Sequence, residues 1–343
     1  MRRLAWFSLL LACLVVPLGA YVRLSDAGLG CPDWPGCYGH VSPHHARADI
    51  LRAESANPAG PVSLDKAWKE MAHRYAASLL GVCILLTACQ ARRRRQGRAS
   101  ANLLLTAVLA QGLLGMLTVA LLLKPVVVTL HLLLGMSIVA TLAWRALSPA
   151  WRPLAASKGL RRALSLLVLA LLAQVALGGW VSSSHAALAC QGFPACNGEW
   201  WPAMRFDQAF HWLREAGEAA DGAPLAGESL IAVHWLHRLG ALLVSVLAWR
   251  CTWLAWREAE LRAHALLLIV LWAAQVGLGM ANVLLALPLP VAVAHNATAM
   301  LLLACAATLL GRCLQPAARR RWRAVTPRLA LYRRRDAHGH WAG

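Results

Sequence analysis

Acidic side chains are scarce in this chain. Only 15 Asp and Glu stand against 34 Lys and Arg, and charged residues of both signs make up 14% of 343 positions. A typical soluble domain carries about 25%. Hydrophobic residues, at 59%, would leave a soluble protein with large apolar patches, so the default class is an integral membrane protein. The formal charge of +19 invites a nucleic-acid reading. The chain has no recognisable reader motif, however, and its arginines line no amphipathic face. They cluster between hydrophobic runs, where topology signals sit, and no nucleic-acid partner is expected.

Eight runs are long enough to cross a hydrocarbon core of about 30 Å, which takes around 20 helical residues. They are residues 4–22, 72–90, 103–123, 126–147, 164–181, 230–249, 263–287 and 291–314. Gly and Pro within them are no objection, being commoner in membrane helices than in soluble ones. One set of connections gathers Arg2 and Arg3, Arg92 to Arg95 with Arg98, Arg152 to Arg162, and Arg250 to Arg262. A tail with Arg319 to Arg321 and Arg333 to Arg335 belongs to the same set. The other set is neutral to acidic: 183–229 carries Glu199, Asp207, Glu215, Glu218, Asp221 and Glu228 against Arg205 and Arg214. By the positive-inside rule both termini are cytoplasmic and the two long loops lie outside. The expected location is a bacterial inner (plasma) membrane. The tail reads most simply as a segment held on anionic lipid, with a short soluble basic module as the alternative.

The start, MRRLAWFSLLLACLVVPLGA, resembles a signal peptide, but an internal copy argues that it is retained. PLGAYVRLSDAGLGCPDWPGC (17–37) aligns without gaps to ALGGWVSSSHAALACQGFPAC (176–196), an offset of 159. Further along, His73-Arg74 recurs as His237-Arg238, Gln111, Gly115 and Met116 as Gln275, Gly279 and Met280, and His131 as His295, all at an offset of 164. Four spans per repeat is an even number, so both copies enter from the same side and are expected to be related by a pseudo-two-fold along the membrane normal. The expected fold class is all-α: eight transmembrane helices as two parallel four-helix bundles. The domains are then 1–150, a cytoplasmic linker 151–162, a second bundle 163–315, and the basic tail 316–343.

Both copies end on a cysteine pair with the same gap, Cys31 and Cys37 in CPDWPGC and Cys190 and Cys196 in CQGFPAC. On the outer side of an inner membrane the compartment is oxidising. Pro35 and Pro194 fit a tight turn between the sulfurs. Two readings fit: a structural disulfide in each half, worth roughly 2 kcal/mol on the chain-entropy model, or a redox-active pair. No nearby His or Cys completes a metal site.

An ionisable residue inside a membrane span is costly and seldom accidental. Of 13 histidines, His73, His131, His237 and His295 stand at matched positions on even-numbered spans, each toward the outer end. Two helices entering from one face bring two imidazoles to similar depth, where they could grip a flat iron macrocycle from both sides. A helix-to-helix hydrogen bond is the alternative for a lone histidine; two pairs at identical spacing favour heme. Gly81, Gly112, Gly115, Gly135, Gly277 and Gly279 offer room for a ring or for plain helix packing. Gln111 and Gln275 suit a bond to histidine or heme, or interhelical glue. Arg74 and Arg238 suit heme propionates or snorkelling to headgroups.

The halves differ at one informative place. Glu70, in KEMAHR, lies one turn before His73, where the second copy has His234, in AVHWLHR. Residues i and i+3 share a helix face, so Glu70 is placed beside the first heme, as a carboxylate able to move protons or as an interfacial acid satisfied by Arg74. His234 is open between a supporting residue, a surface imidazole and a competing ligand.

The ordered set GAYVRLSDAGLGCPDWPGC, EMAHR, KPVVVTLH, GGWVSSSHAALAC, HWLHR and LPVAVAHNATAM resembles bacterial heme A synthases, relatives of the mitochondrial enzyme. The resemblance covers nearly the whole chain. It implies an eight-helix membrane oxidoreductase that converts the C8 methyl of heme O to a formyl group, giving heme A for cytochrome oxidase. It further implies His73 and His131 as ligands of the substrate heme, Glu70 as the catalytic carboxylate, and His237 with His295 as the axial pair of a resident heme b. Cys31 with Cys37 and Cys190 with Cys196 match outer-loop disulfides. Implied partners are heme O, the heme O synthase that supplies it, the lipid bilayer and an electron donor that the sequence does not name. A homo-oligomer is compatible. His40, His44 and His45 in the first outer loop match nothing assignable and read as solvent-exposed. Two other functions compete: a bis-His diheme membrane cytochrome b for electron transfer, and a quinone-linked thiol oxidoreductase.

Overall fold

A computed structural model describes residues 2–150, 156–212, 214, 215, 217–219 and 222–315. The basic tail and part of the linker expected around 151–162 lie outside the described residues. The helices are α1 (Arg2–Leu24), α2 (Arg47–Ala56), α3 (Leu64–Arg94), α4 (Arg98–Ala120), α5 (Pro125–Leu147), α6 (Lys158–Ser183), α7 (Phe206–Ala209), α8 (Gly227–Trp256), α9 (Arg262–Leu284) and α10 (Leu289–Leu314). Eight of them are long and apolar enough to cross a membrane; α2 and α7 are short helices in the two longest loops between spans. The chain is a multi-pass membrane protein, and no named strand occurs among the described residues.

The eight spans fall where the apolar runs put them, and their ends differ for local reasons. α3 starts at Leu64, ahead of the apolar run that begins at 72, because Ser63 caps it by accepting from the Lys66 N–H at 3.3 Å. Ser157 does the same for α6 through Leu160 N–H at 3.1 Å. α4 and α9 stop short of the expected 123 and 287. There the chain turns through Leu122 and Leu123 at φ 47° and 61°, and through Ala286 and Leu287 at φ 55° and 62°. Left-handed backbone at side-chain-bearing residues is uncommon, and hydropathy has no means of seeing a turn built from residues as apolar as the helix. The same unusual pair in both halves carries the repeat into the backbone.

Within the first half, α1 and α4 each pack on both α3 and α5, so α3 and α5 face one another across the bundle diagonal. In the second half α6 and α9 each pack on α8 and α10, and these two form the diagonal. The halves meet where α5 packs on α6 and α10 and α1 packs on α10. Exchange of α1 with α6 and α5 with α10 maps this seam onto itself, as a pseudo-two-fold would. Fully buried Leu142, Leu164, Leu167, Ala306 and Leu309, on α5, α6 and α10, belong to one apolar core that runs through both halves. On the opposite faces Leu109 and Leu113 of α4 and Leu266 and Val270 of α9 are exposed, which in a bilayer is the lipid-facing surface.

Candidate functional site

The connections from α1 to α3 and from α6 to α8 carry two matching turns at one end of the bundles. Cys31 and Cys37 are bonded with an S–S distance of 2.10 Å, and Cys190 and Cys196 at 2.02 Å. Each turn is crossed by a two-way backbone pair, Cys37 with His40 and Cys196 with Glu199. The arginines that follow the candidate ligands reach up to these turns. Arg74 donates to the carbonyls of Asp33 (2.8 Å) and Gly36. Arg238 donates to those of Cys190 (2.6 Å) and Ala195 (3.1 Å). Each disulfide turn is thereby fastened to the helix that carries a candidate ligand. Cys190→Ser is expected to cost about 2 kcal/mol, read as a lower melting temperature of the detergent-solubilised protein; an unchanged melting curve would count against a structural role.

The four histidines stand where the diagonals need them. His73 lies on α3 and His131 on α5, and His237 on α8 and His295 on α10, the helices that form the two diagonals. Each ring lies against a glycine of a neighbouring helix. A Cβ on Gly19 would fall 2.8 Å from the His73 ring, on Gly115 3.3 Å from His131, on Gly178 3.2 Å from His237, and on Gly279 3.1 Å from His295. Any side chain at these places would have to displace an imidazole. Gly135 abuts Gln111, whereas Gly81, Gly112 and Gly277 border open space. Gln111 Nε2 lies 3.2 Å from His131 Nε2 and donates to the His131 carbonyl at 3.0 Å. Gln275 Nε2 lies 3.1 Å from His295 Nε2. Gln174, which the sequence did not single out, lies 3.1 Å from His237 Nδ1 and donates to the His237 carbonyl at 2.9 Å. Gly19, Gly178 and Gln174 all fall in or beside the aligned stretches, but nothing in the repeat says which residues touch a ring.

Glu70 is 4% exposed. Its Oε2 accepts from the Cys31 N–H at 2.9 Å and its Oε1 from Arg74 at 2.6 Å. The carboxylate therefore couples α3, one turn from His73, to the first disulfide turn. At the matched place His234, 5% exposed, has Nδ1 3.1 Å from the Ala186 carbonyl. Of the three roles open for His234, this bond favours support of the loop between α6 and α8. His40, His44 and His45 are exposed, with His45 paired to Ser42 Oγ at 3.0 Å.

A family model described as cytochrome oxidase assembly protein (COX15-CtaA) matches residues 2–307. The chain belongs to this family. It is 38% identical to the heme A synthase of Shewanella oneidensis over 88% of this chain and 94% of that one. Identity to the heme A synthase of a Methylobacterium species is 32%, covering 87% and 88% of the two chains. For that of Halalkalibacterium halodurans it is 26%, covering 82% and 86%. A family of heme-modifying oxidoreductases calls for a place to hold iron porphyrin, and the residues present fit one. The four histidines are half-buried on the helices of the two diagonals. Nδ1 of His73, His131 and His295 is buried without a hydrogen-bond partner, leaving ring-nitrogen capacity that a metal-bound imidazole uses for its second bond.

Proposed function

We propose that this chain is a heme A synthase that oxidises the C8 methyl of heme O to a formyl group, giving heme A for cytochrome oxidase. The observation that carries the reading is the pairing of four histidines on bundle diagonals, each ring seated on a glycine. The N-terminal half, 1–150, takes the substrate heme between His73 and His131. The C-terminal half, 163–315, holds a resident heme b between His237 and His295. Bound iron porphyrin supplies the redox capacity that an inert methyl carbon requires. The protein would position it: His73 with His131, and His237 with His295, would hold the iron, and the glycines beside them leave the helix backbones open to a ring. Glu70, one turn from His73, holds or accepts a proton at Oε1 or Oε2 while Arg74 balances its charge. Arg74 and Arg238 keep guanidinium groups at the outer rim, within reach of propionates.

The halves are two bundles joined through the linker 151–162 and followed by a cytoplasmic basic tail, in a bacterial inner membrane with both termini inside. Heme O synthase hands over the substrate, and an external donor supplies electrons. Co-expression with a heme O source, followed by heme extraction and chromatography, is expected to yield heme A. Heme O as the sole product would overturn the assignment, and a red protein that makes no new heme would instead be an electron-transfer cytochrome.

A further inference from the structure

A cavity of about 150 Å³ lies between α4 and α5, walled by Leu104 and Ala107 of α4 and by Leu134, Ser137, Ile138 and Thr141 of α5. Leu134, Ile138 and Thr141 follow His131 by three, seven and ten residues, and Leu104 and Ala107 precede Gln111 by seven and four. Residues so spaced share a helix face. The cavity therefore continues the faces that carry His131 and Gln111, starting about one turn beyond the ring and running away from the disulfide turns. Its two hydroxyls are engaged within α5: Ser137 Oγ donates to the Leu133 carbonyl and Thr141 Oγ1 to that of Ser137, both at 2.8 Å. The walls are left apolar.

The second half is built differently here. At the offset of 164, Leu271 stands for Ala107 and Leu301 for Ser137, while the opposite changes, Thr298 for Leu134 and Cys305 for Thr141, are smaller. The half assigned the resident heme thus puts bulk where the half assigned the substrate leaves space. What separates heme O from heme b is an isoprenoid tail in place of a vinyl group. A dry apolar cavity of about 150 Å³ holds a molecule the size of benzene, comparable to one isoprene unit. Leu103, also at the cavity and 61% exposed, leaves the remaining tail a way out into lipid.

We infer that this cavity seats the tail of the substrate and thereby selects which methyl group is oxidised. The inference rests on the proposed function, in which the propionates lie at the rim with Arg74, so the opposite edge of the ring, where the tail is attached, points toward the cavity. Two methyl groups, C5 and C8, flank the propionates. Turning the ring over about the axis between the propionates exchanges C5 with C8 and carries the tail to the other side of that axis. A tail held between α4 and α5 allows one of these orientations and leaves C8 on the side of Glu70. The effect is one of orientation rather than affinity, because lipid chains are as apolar as leucine walls. Ala107 and Ser137 are positioning residues that act through the tail.

The test co-expresses each protein with a heme O source, separates the formyl hemes by chromatography, and measures uptake of added heme b by the purified protein. Wild type is expected to give the C8 formyl isomer alone. Ala107→Leu with Ser137→Leu, which installs the side chains of the second half, is expected to take up heme b as wild type does. Its heme A output should fall about tenfold, within the cost of overpacking a filled site, and the C5 formyl isomer should appear. A damaged ligand site would lower heme b uptake and produce no new isomer. Wild-type output of heme A, or a lower output without the C5 isomer, overturns the inference and leaves the cavity to lipid chains. If the double variant does not fold, Ala107→Val decides by the same isomer ratio. Wild-type protein that makes no formyl heme would sink the proposed function itself.

Discussion

His237→Ala is expected to yield protein that has lost the low-spin signature of its resident heme and makes about a hundredfold less heme A. An axial imidazole is a direct bond to iron, so its removal should exceed the roughly 10–100-fold effect of losing a supporting partner. His237 is held much as His131 is: Gln174 meets both its side chain and its own carbonyl, and Gly178 seats it from α6. Pyridine hemochrome spectra and extracted heme of the purified variant report the loss. His234→Ala is the control on the same helix. Its ring faces the Ala186 carbonyl, so that variant should keep its heme and lose only about 1 kcal/mol of stability. Full heme occupancy in His237→Ala, or heme loss in His234→Ala, would exchange the roles assigned to the two residues.

Glu70→Gln should retain heme and fail in chemistry. Deleting the side chain altogether would leave Arg74 as an uncompensated charge and the Cys31 N–H without its acceptor. Breaking a buried pair of this kind costs about 3–5 kcal/mol, so Glu70→Ala confounds folding with function. Glutamine keeps an oxygen for Cys31, and Arg74 keeps the carbonyls of Asp33 and Gly36. What glutamine cannot do is take up a proton. Loss of general acid–base help is worth about 10²–10⁴ in rate. Heme extracts should therefore contain heme O or a hydroxylated intermediate in place of heme A. Unchanged heme A output from Glu70→Gln would remove Glu70 from the chemistry and leave it as a clasp for the disulfide turn.

Much of the architecture could be read from the chain before any coordinates. The spans follow from apolar length, because a bilayer demands about 20 residues whatever the fold. The duplicated offsets flagged the four histidines and both cysteine pairs, since ionisable and sulfur-bearing residues stand out against Leu and Ala. What escaped notice is what looks ordinary in such a background. Gly19 and Gly178 resemble any small residue in a membrane helix, although each lies against an imidazole. Gln174 carries no mark of the repeat, because its counterpart in the first half is Val15. The carbonyl partners of Arg74 and Arg238 arise only when a loop folds back over its helix, a tertiary fact with no local signature. The turns at 121–123 and 285–287 are set by backbone torsion rather than composition.

The exchange of Glu70 for His234 has a meaning for how a duplicated gene can divide its labour. Both side chains tie their helix to the loop that precedes it, one by accepting from an amide and the other at a carbonyl, so the mechanical clasp survives the swap. The acid does not. If the proposed roles hold, a half without that carboxylate would pass electrons turnover after turnover while the methyl groups of its own porphyrin stay untouched, sparing the enzyme from consuming its cofactor.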